Sequence, residues 1–463
     1  MILAILLGII IVYIFVVLFF HYKYPELYWD WEKIDTNKMS FNDSFSWGTA
    51  TASHQIEGNC TNNNWFEWEN SKDENNHSRI KDNQKAGNAC DHWNRYKEDI
   101  DLIKKLGVTH YRFSLEWSKI EPEKDNYNQD AIKHYSNVID SLIKENIRPV
   151  ITLHHFTNPL WFDQLEGFEK EENIVHFVSF CKLIFSKYSD RVKDWCTINE
   201  PDVYAVMGYF AAIFPPGKKQ PQLAVEVLKN LLIAHTNVYN SLKNLPNGEN
   251  CKIGIVKNVM QFDPYRRWNI LDWLVCRITN KIYNNIVLSY LEKGKINVNY
   301  PFFVKMNYES SDAKLATDFF GLNYYSHSHL KFKFDSYEFF ENKFFNDDIM
   351  TDMPYAIYPE GLYRAIKKVN RLNKPIIITE NGIADAKDDR RSLFIERYIY
   401  AMSKAISEGA NVEGYFYWSL MDNFEWAEGY DMRFGLYAVD FNTQKRTLRN
   451  GAKKFINIIN KSK

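Results

Sequence analysis

Three observations predict an α/β fold: a single (β/α)8 TIM barrel preceded by one N-terminal transmembrane helix. Eight short runs of β-branched and aromatic residues recur along the chain, mostly alternating with segments whose apolar residues fall at helical spacing. Two of these runs end in a glutamate that a turn-former stops at once, which places a carboxylate at the C-terminal rim of a parallel sheet, where such folds keep their chemistry. The length, 463 residues, is within the reach of one barrel with insertions.

Residues 2–20 carry no charge, and Gly8 and Tyr13 are their only interruptions. As a helix they span about 29 Å at about 1.5 Å per residue, close to the roughly 30 Å of bilayer hydrocarbon. A cleaved signal peptide calls for a basic first segment and a small-x-small cleavage site, and neither is present. Residues 1–20 are therefore read as a single-pass membrane anchor. Lysines and acids mix downstream, so the side of the membrane stays open. Residues 21–40 combine aromatics and charges without period and read as a juxtamembrane linker, with Tyr28, Trp29 and Trp31 at headgroup level. The barrel domain is assigned to residues 41–463.

Within it, strands are expected at residues 45–49, 110–114, 149–153, 195–199, 252–256, 319–323, 375–379 and 414–418. Helical periods such as 94–106 and 129–145 lie between them. Formal net charge is −1, which gives no basis for nucleic-acid binding. The six cysteines show neither CxxC nor Cys/His ligand spacing, so no metal site is expected. Cys60 and Cys90 bracket a polar loop, leaving a disulfide or reduced thiols as the alternatives. Four N-x-S/T sequons, at Asn42, Asn59, Asn76 and Asn460, carry no further signal.

The chemistry is concentrated at the strand ends. Pro375-Ile-Ile-Ile-Thr-Glu380-Asn-Gly382 is a buried-strand pattern running into a carboxylate, and Trp195-Cys-Thr-Ile-Asn199-Glu200-Pro201 repeats the grammar. Two rim glutamates are what double-displacement glycoside hydrolysis needs. The first strand leads into Trp47-Gly-Thr-Ala-Thr-Ala-Ser-His-Gln55, where small residues let backbone approach a ligand and an amide both donates and accepts. At the second strand end, Arg112 is a permanent cation able to hold a carboxylate ionised. The pair His154-His155 ends the third strand, but adjacent strand residues face opposite sides and do not chelate one ion together. Asn323 and Tyr325 follow the sixth strand. The eighth supplies Trp418, an apolar face, and Glu425, a two-oxygen acceptor, beside Trp426.

Taken in order, these motifs resemble glycoside hydrolase family 1, the retaining β-glucosidases, over about residues 41–460. The resemblance implies Glu380 as nucleophile and Glu200 as acid/base. It implies that Arg112 keeps Glu380 charged, that the Tyr325 hydroxyl bonds Glu380, and that Asn199 holds the sugar's 2-hydroxyl, with Asn323 in support. Gln55, His155, Trp418, Glu425, Trp426 and Phe434 are the implied substrate contacts. Family members acting on 6-phosphosugars replace the Glu425 carboxylate, so its presence implies an unphosphorylated sugar. Phe156 and Glu166-Gly-Phe168 depart from the common Trp and Gly-Gly-Trp, a matter of pocket shape. The aromatic segment 331–350 is assigned as a rim loop for the aglycone or as ordinary packing.

The expected activity is exo-β-glycoside hydrolysis on a small-molecule β-glycoside, including a glycolipid, without metal or organic cofactor. Carboxyl groups roughly 5–5.5 Å apart belong with retention. One alternative is a membrane-tethered transglycosidase that hands the sugar to a lipid. The other is a non-catalytic sugar-binding receptor domain, a class whose members usually lack one or both glutamates.

Overall fold

The structure, a computed structural model, describes residues 1–300, 304–314, 316–325, 327–335 and 339–462. Eight strands close into a parallel barrel: β1 (Ser46–Ala50), β2 (His110–Ser114), β3 (Arg148–His154), β4 (Asp194–Asn199), β5 (Lys252–Asn258), β6 (Phe319–Asn323), β7 (Ile376–Asn381) and β8 (Val412–Trp418). Each pairs in parallel with the next, and β8 closes on β1 through Ser46↔Gly414. These are the strands the sequence predicts, with ends shifted by at most two residues.

A barrel helix follows each strand: α1 (His92–Leu106), α2 (Gln129–Lys144), α3 (Ile174–Tyr188), α4 (Pro221–Lys243), α5 (Ile286–Lys293), α6 (Pro359–Val369), α7 (Arg391–Ser407) and α8 (Ala452–Lys461). Local signals set their ends. The Asn128 side chain accepts from the amides of Asp130 and Ala131 at the start of α2, satisfying donors that have no partner within the helix. Gly107 closes α1 in the left-handed conformation, φ 75°, which glycine adopts without steric cost.

Alternation along the strands sorts the core. Ile376 and Ile378 of β7 join the large cluster between barrel and helices, while Ile377 joins Val150, Cys196, Val256, Phe319 and Phe416 in a separate group filling the barrel. Two strand glycines make room for its rings. A Cβ on Gly48 would lie 2.7 Å from the Phe416 ring, and one on Gly254 would lie 2.7 Å from the ring of Phe319. Strand register slips between Cys196 and Asn199 of β4 and between Ile378 and Glu380 of β7. Such irregularities re-aim side chains, and both fall just before the rim glutamates.

The N-terminal helix runs Ile2–Lys23, three residues past the expected end, and is long and apolar enough to cross a membrane. Its C-terminal half lies along the barrel: the Tyr13 hydroxyl donates to the Trp268 carbonyl at 2.7 Å, and the Phe20 and Trp273 rings pack at 5.4 Å. The segment after it corrects the linker expectation. Trp29 N and Trp31 Nε1 both donate to Glu360 Oε1 of α6, at 2.8 and 3.0 Å, and the two rings pack on Tyr400. Thr36 reaches Glu396, and the amide of Ser40 reaches Ser403, both on α7. The segment has no internal period because its barrel partners lie more than 200 residues away.

Residues 327–332 pair with 261–264 and 340–343 in a small sheet whose strands follow the C-terminal ends of β5 and β6, and residues 336–338 of the presumed rim loop lie outside the described residues. All six cysteines are buried free thiols, Cys60 and Cys90 included.

Candidate active site

The C-terminal ends of the barrel strands converge on two buried glutamates. Glu380 leaves β7 with its Oε1 2.6 Å from Arg112 Nη1 of β2, while the Tyr325 hydroxyl donates to Oε2 at 2.7 Å. Arg112 is itself 1% exposed and braced by Thr152, to which its Nε donates at 3.0 Å. A buried carboxylate with a cation on one oxygen and a phenol on the other is fixed in place with its charge matched.

Glu200 has no such cation. Its Oε1 accepts from Asn323 Nδ2 at 2.8 Å and from Asn258 Nδ2 at 3.1 Å. Burial first, then the charge of Glu380 and that of Asp202, push its carboxyl up to about 8. Loss of hydration disfavours the ionised form, and neighbouring negative charge adds to it. The backbone at Glu200 is left-handed, φ 46°, between β4 and a helix opened by Pro201. A β-carbon makes that conformation costly, and active sites are where such strain is found.

Asn199 Oδ1 ties the two halves together, accepting from Arg112 Nη2 at 2.7 Å and from Asn323 Nδ2 at 3.2 Å. Its own amide lies 3.1 Å from His155 Nε2. His154 turns the other way, to Asn158 and the α3 side, as neighbours on a strand must. The His155 ring stacks beside Trp418 and Trp426. The Phe434 ring packs edge-on against Tyr325. Gln55 Nε2 donates to Asn423, to the Phe424 carbonyl and, at 3.3 Å, to Glu425 Oε2. Burial and then the charge of Glu380 push Glu425 up to about 8. Gln55 Oε1 and His155 Nδ1 are buried with no hydrogen-bond partner among the described residues, which leaves both atoms available to a ligand.

The sequence reading missed three contributors. Asn258 ends β5, the one strand for which no motif was recognised. Lys257 beside it forms an ion pair with Asp202 at 2.7 Å, both 0% exposed, directly behind Glu200. Thr379 donates to Asn323 Oδ1 at 2.7 Å, which orients the Asn323 amide nitrogen toward Glu200. Asn258 was discoverable as a polar residue closing a barrel strand; the other two needed the register.

Two buried carboxyls, one paired with a cation and the other pushed up to about 8, make an arrangement suited to cleaving glycosidic bonds. The chain belongs to glycosyl hydrolase family 1, whose family model matches residues 37–463. It is similar to Beta-glucosidase A of Thermotoga maritima, 34% identical over 456 residues that cover 91% of this chain and 98% of that one. Its fold superposes on a beta-glycosidase from Pyrococcus horikoshii with a TM-score of 0.82 and 38% identity, covering 91% and 95% of the two chains. The family 1 b-glucosidase from Thermotoga maritima superposes at 0.85 with 33% identity, covering 92% and 99%.

Proposed function

We propose that the protein is a retaining exo-β-glycosidase of the β-glucosidase type that hydrolyses unphosphorylated β-D-glucosides. The observation that carries this reading is the unequal treatment of two buried carboxyls: Arg112 and Tyr325 hold Glu380, whereas Glu200 meets only amides and is pushed up to about 8.

In the first step Glu380 attacks the anomeric carbon, the bond to the aglycone oxygen breaks, and Glu200 gives that oxygen its proton. The glycosyl ester formed on Glu380 carries no charge, so one of the two charges raising Glu200 disappears. Its proton affinity falls as its role changes to general base. Water then attacks the anomeric carbon, Glu200 takes its proton, and the sugar leaves with its original configuration. Asn199 is placed to hold the 2-hydroxyl, a contact that strengthens in the oxocarbenium-like transition state. The unpartnered Gln55 Oε1 accepts from one further hydroxyl and His155 Nδ1 donates to another, Trp418 and Phe434 offer apolar faces, and Glu425 with Trp426 grips the far end of the glucose.

The helix Ile2–Lys23 serves as a single-pass anchor in this reading. A helix long and apolar enough to enter a membrane favours a second reading, transfer of the sugar to a lipid acceptor, which uses the same two glutamates. Product analysis with and without a lipid alcohol separates the two.

The primary test is hydrolysis of an aryl β-glucoside by wild type beside Glu380→Ala, with azide added to the variant. Turnover that disappears and returns as the α-glycosyl azide is expected. A folded wild type inert on glucoside, galactoside and fucoside would overturn the hydrolase reading.

A further inference from the structure

We propose that Glu26, His327 and His329 form a binding site for one divalent ion of the zinc class, which pins the segment after the N-terminal helix to the barrel. His327 and His329 stand two residues apart on the strand His327–Phe332 and so share a face. Glu26 arrives from the other end of the sequence, three residues after the helix ends. Its Oε1 lies 2.6 Å from His329 Nε2 and 3.7 Å from His327 Nε2, and the two ring nitrogens are 3.3 Å apart. The three side chains are 5%, 3% and 1% exposed.

The present contacts leave His327 poorly served. Its Nε2 meets the Nε2 of His329, while Glu26 Oε1 at 3.7 Å is beyond hydrogen-bond range. A metal ion accepts lone pairs from Glu26 Oε1 and both Nε2 atoms at once, with the proton shared between His329 Nε2 and Glu26 released to solvent. Tetrahedral bonds of about 2.0–2.1 Å set ligand atoms roughly 3.3–3.4 Å apart, so the ring nitrogens already stand at that spacing and the Glu26 contact opens by less than about 1 Å.

Arg267 approaches Glu26 Oε2 at 3.4 Å, and the Tyr28 hydroxyl donates to one lone pair of Oε1 at 2.5 Å, which leaves the lone pair facing the two histidines for an ion. The His54, Cys60 and Glu116 group is different: both Glu116 oxygens are already occupied by Ser53, Asn63, Ser118 and Thr157.

The test uses the full chain in detergent micelles, stripped with a chelator and titrated with Zn2+, Co2+ and Ni2+. One equivalent of zinc per chain is expected, with a visible Co2+ spectrum of low coordination number. Zinc should raise the unfolding temperature and protect residues 24–40 from protease in wild type. In Glu26→Gln and in the His327→Gln/His329→Gln double variant, affinity should fall at least tenfold and the protection should vanish. The wild-type titration stands even if a variant fails to fold. Absence of stoichiometric binding by all three ions, or equal binding by the variants, would overturn the site.

Discussion

Buried carboxylates in two regions of this molecule are treated in opposite ways. At the barrel rim, Glu200 is surrounded by amides and negative charge and is pushed up to about 8. In the N-terminal segment, Glu26 is equally out of water, yet two imidazoles, a phenol and Arg267 converge on it and keep it ionised. Burial alone thus decides nothing about a carboxyl; the donors that come with it decide whether it stores a proton or a charge. The rim uses the first arrangement for proton transfer. The N-terminal segment uses the second for attachment.

The sharpest way to break the rim's half of the comparison is Glu380→Ala, for which kcat on an aryl glucoside is expected to fall on the order of 10^4-fold or more, since removing a nucleophile also idles its partners. Glu200→Gln should lose about 10^2- to 10^4-fold with a poor leaving group, the usual worth of general acid catalysis, and much less with an acidic phenol. In wild type, kcat/KM should fall as pH rises through about 8 and Glu200 loses its proton. Glu425 is pushed up to the same value, so a basic limb retained in Glu425→Gln and abolished in Glu200→Gln assigns it. Both groups bind their proton more tightly folded than unfolded. Their contribution to stability is whole below the ordinary 4.5 and is lost as pH rises through about 8. Tyr325→Phe removes one bond to an ionised oxygen, and roughly 1.5–3 kcal/mol, about 10- to 100-fold in kcat/KM, is expected.

The smallest effect sharpens the other half. Glu360→Ala leaves the Trp29 amide and the Trp31 indole without their acceptor. A loss of about 1–3 kcal/mol is expected by denaturant titration, with faster proteolysis within residues 24–40 and little change in turnover.

The barrel was legible because its signals are local. A strand such as Ile376–Asn381 announces itself by β-branched residues, and its catalytic end by a glutamate that a turn isolates. The resemblance then supplied partners from distant strands, Arg112 and Tyr325 among them. What could not be read depends on contacts with neither period nor motif. Trp29 and Trp31 look interfacial in sequence, but they face Glu360, about 330 positions on. His327-x-His329 has the spacing of a strand face, yet its carboxylate partner comes from residue 26. The Lys257–Asp202 pair required the barrel's register to bring β4 and β5 together.

The central claim is that Glu380 forms the covalent bond to the sugar while Glu200 carries the proton. A 2-deoxy-2-fluoro glucosyl donor with a good leaving group tests it most directly, because the fluorine slows both steps while the good leaving group restores only the first, so the ester accumulates. Mass spectrometry of the digested protein should find one added sugar on the peptide that contains Glu380, and none in Glu380→Ala. Turnover without any trapped sugar, or a label on another residue, would contradict the account.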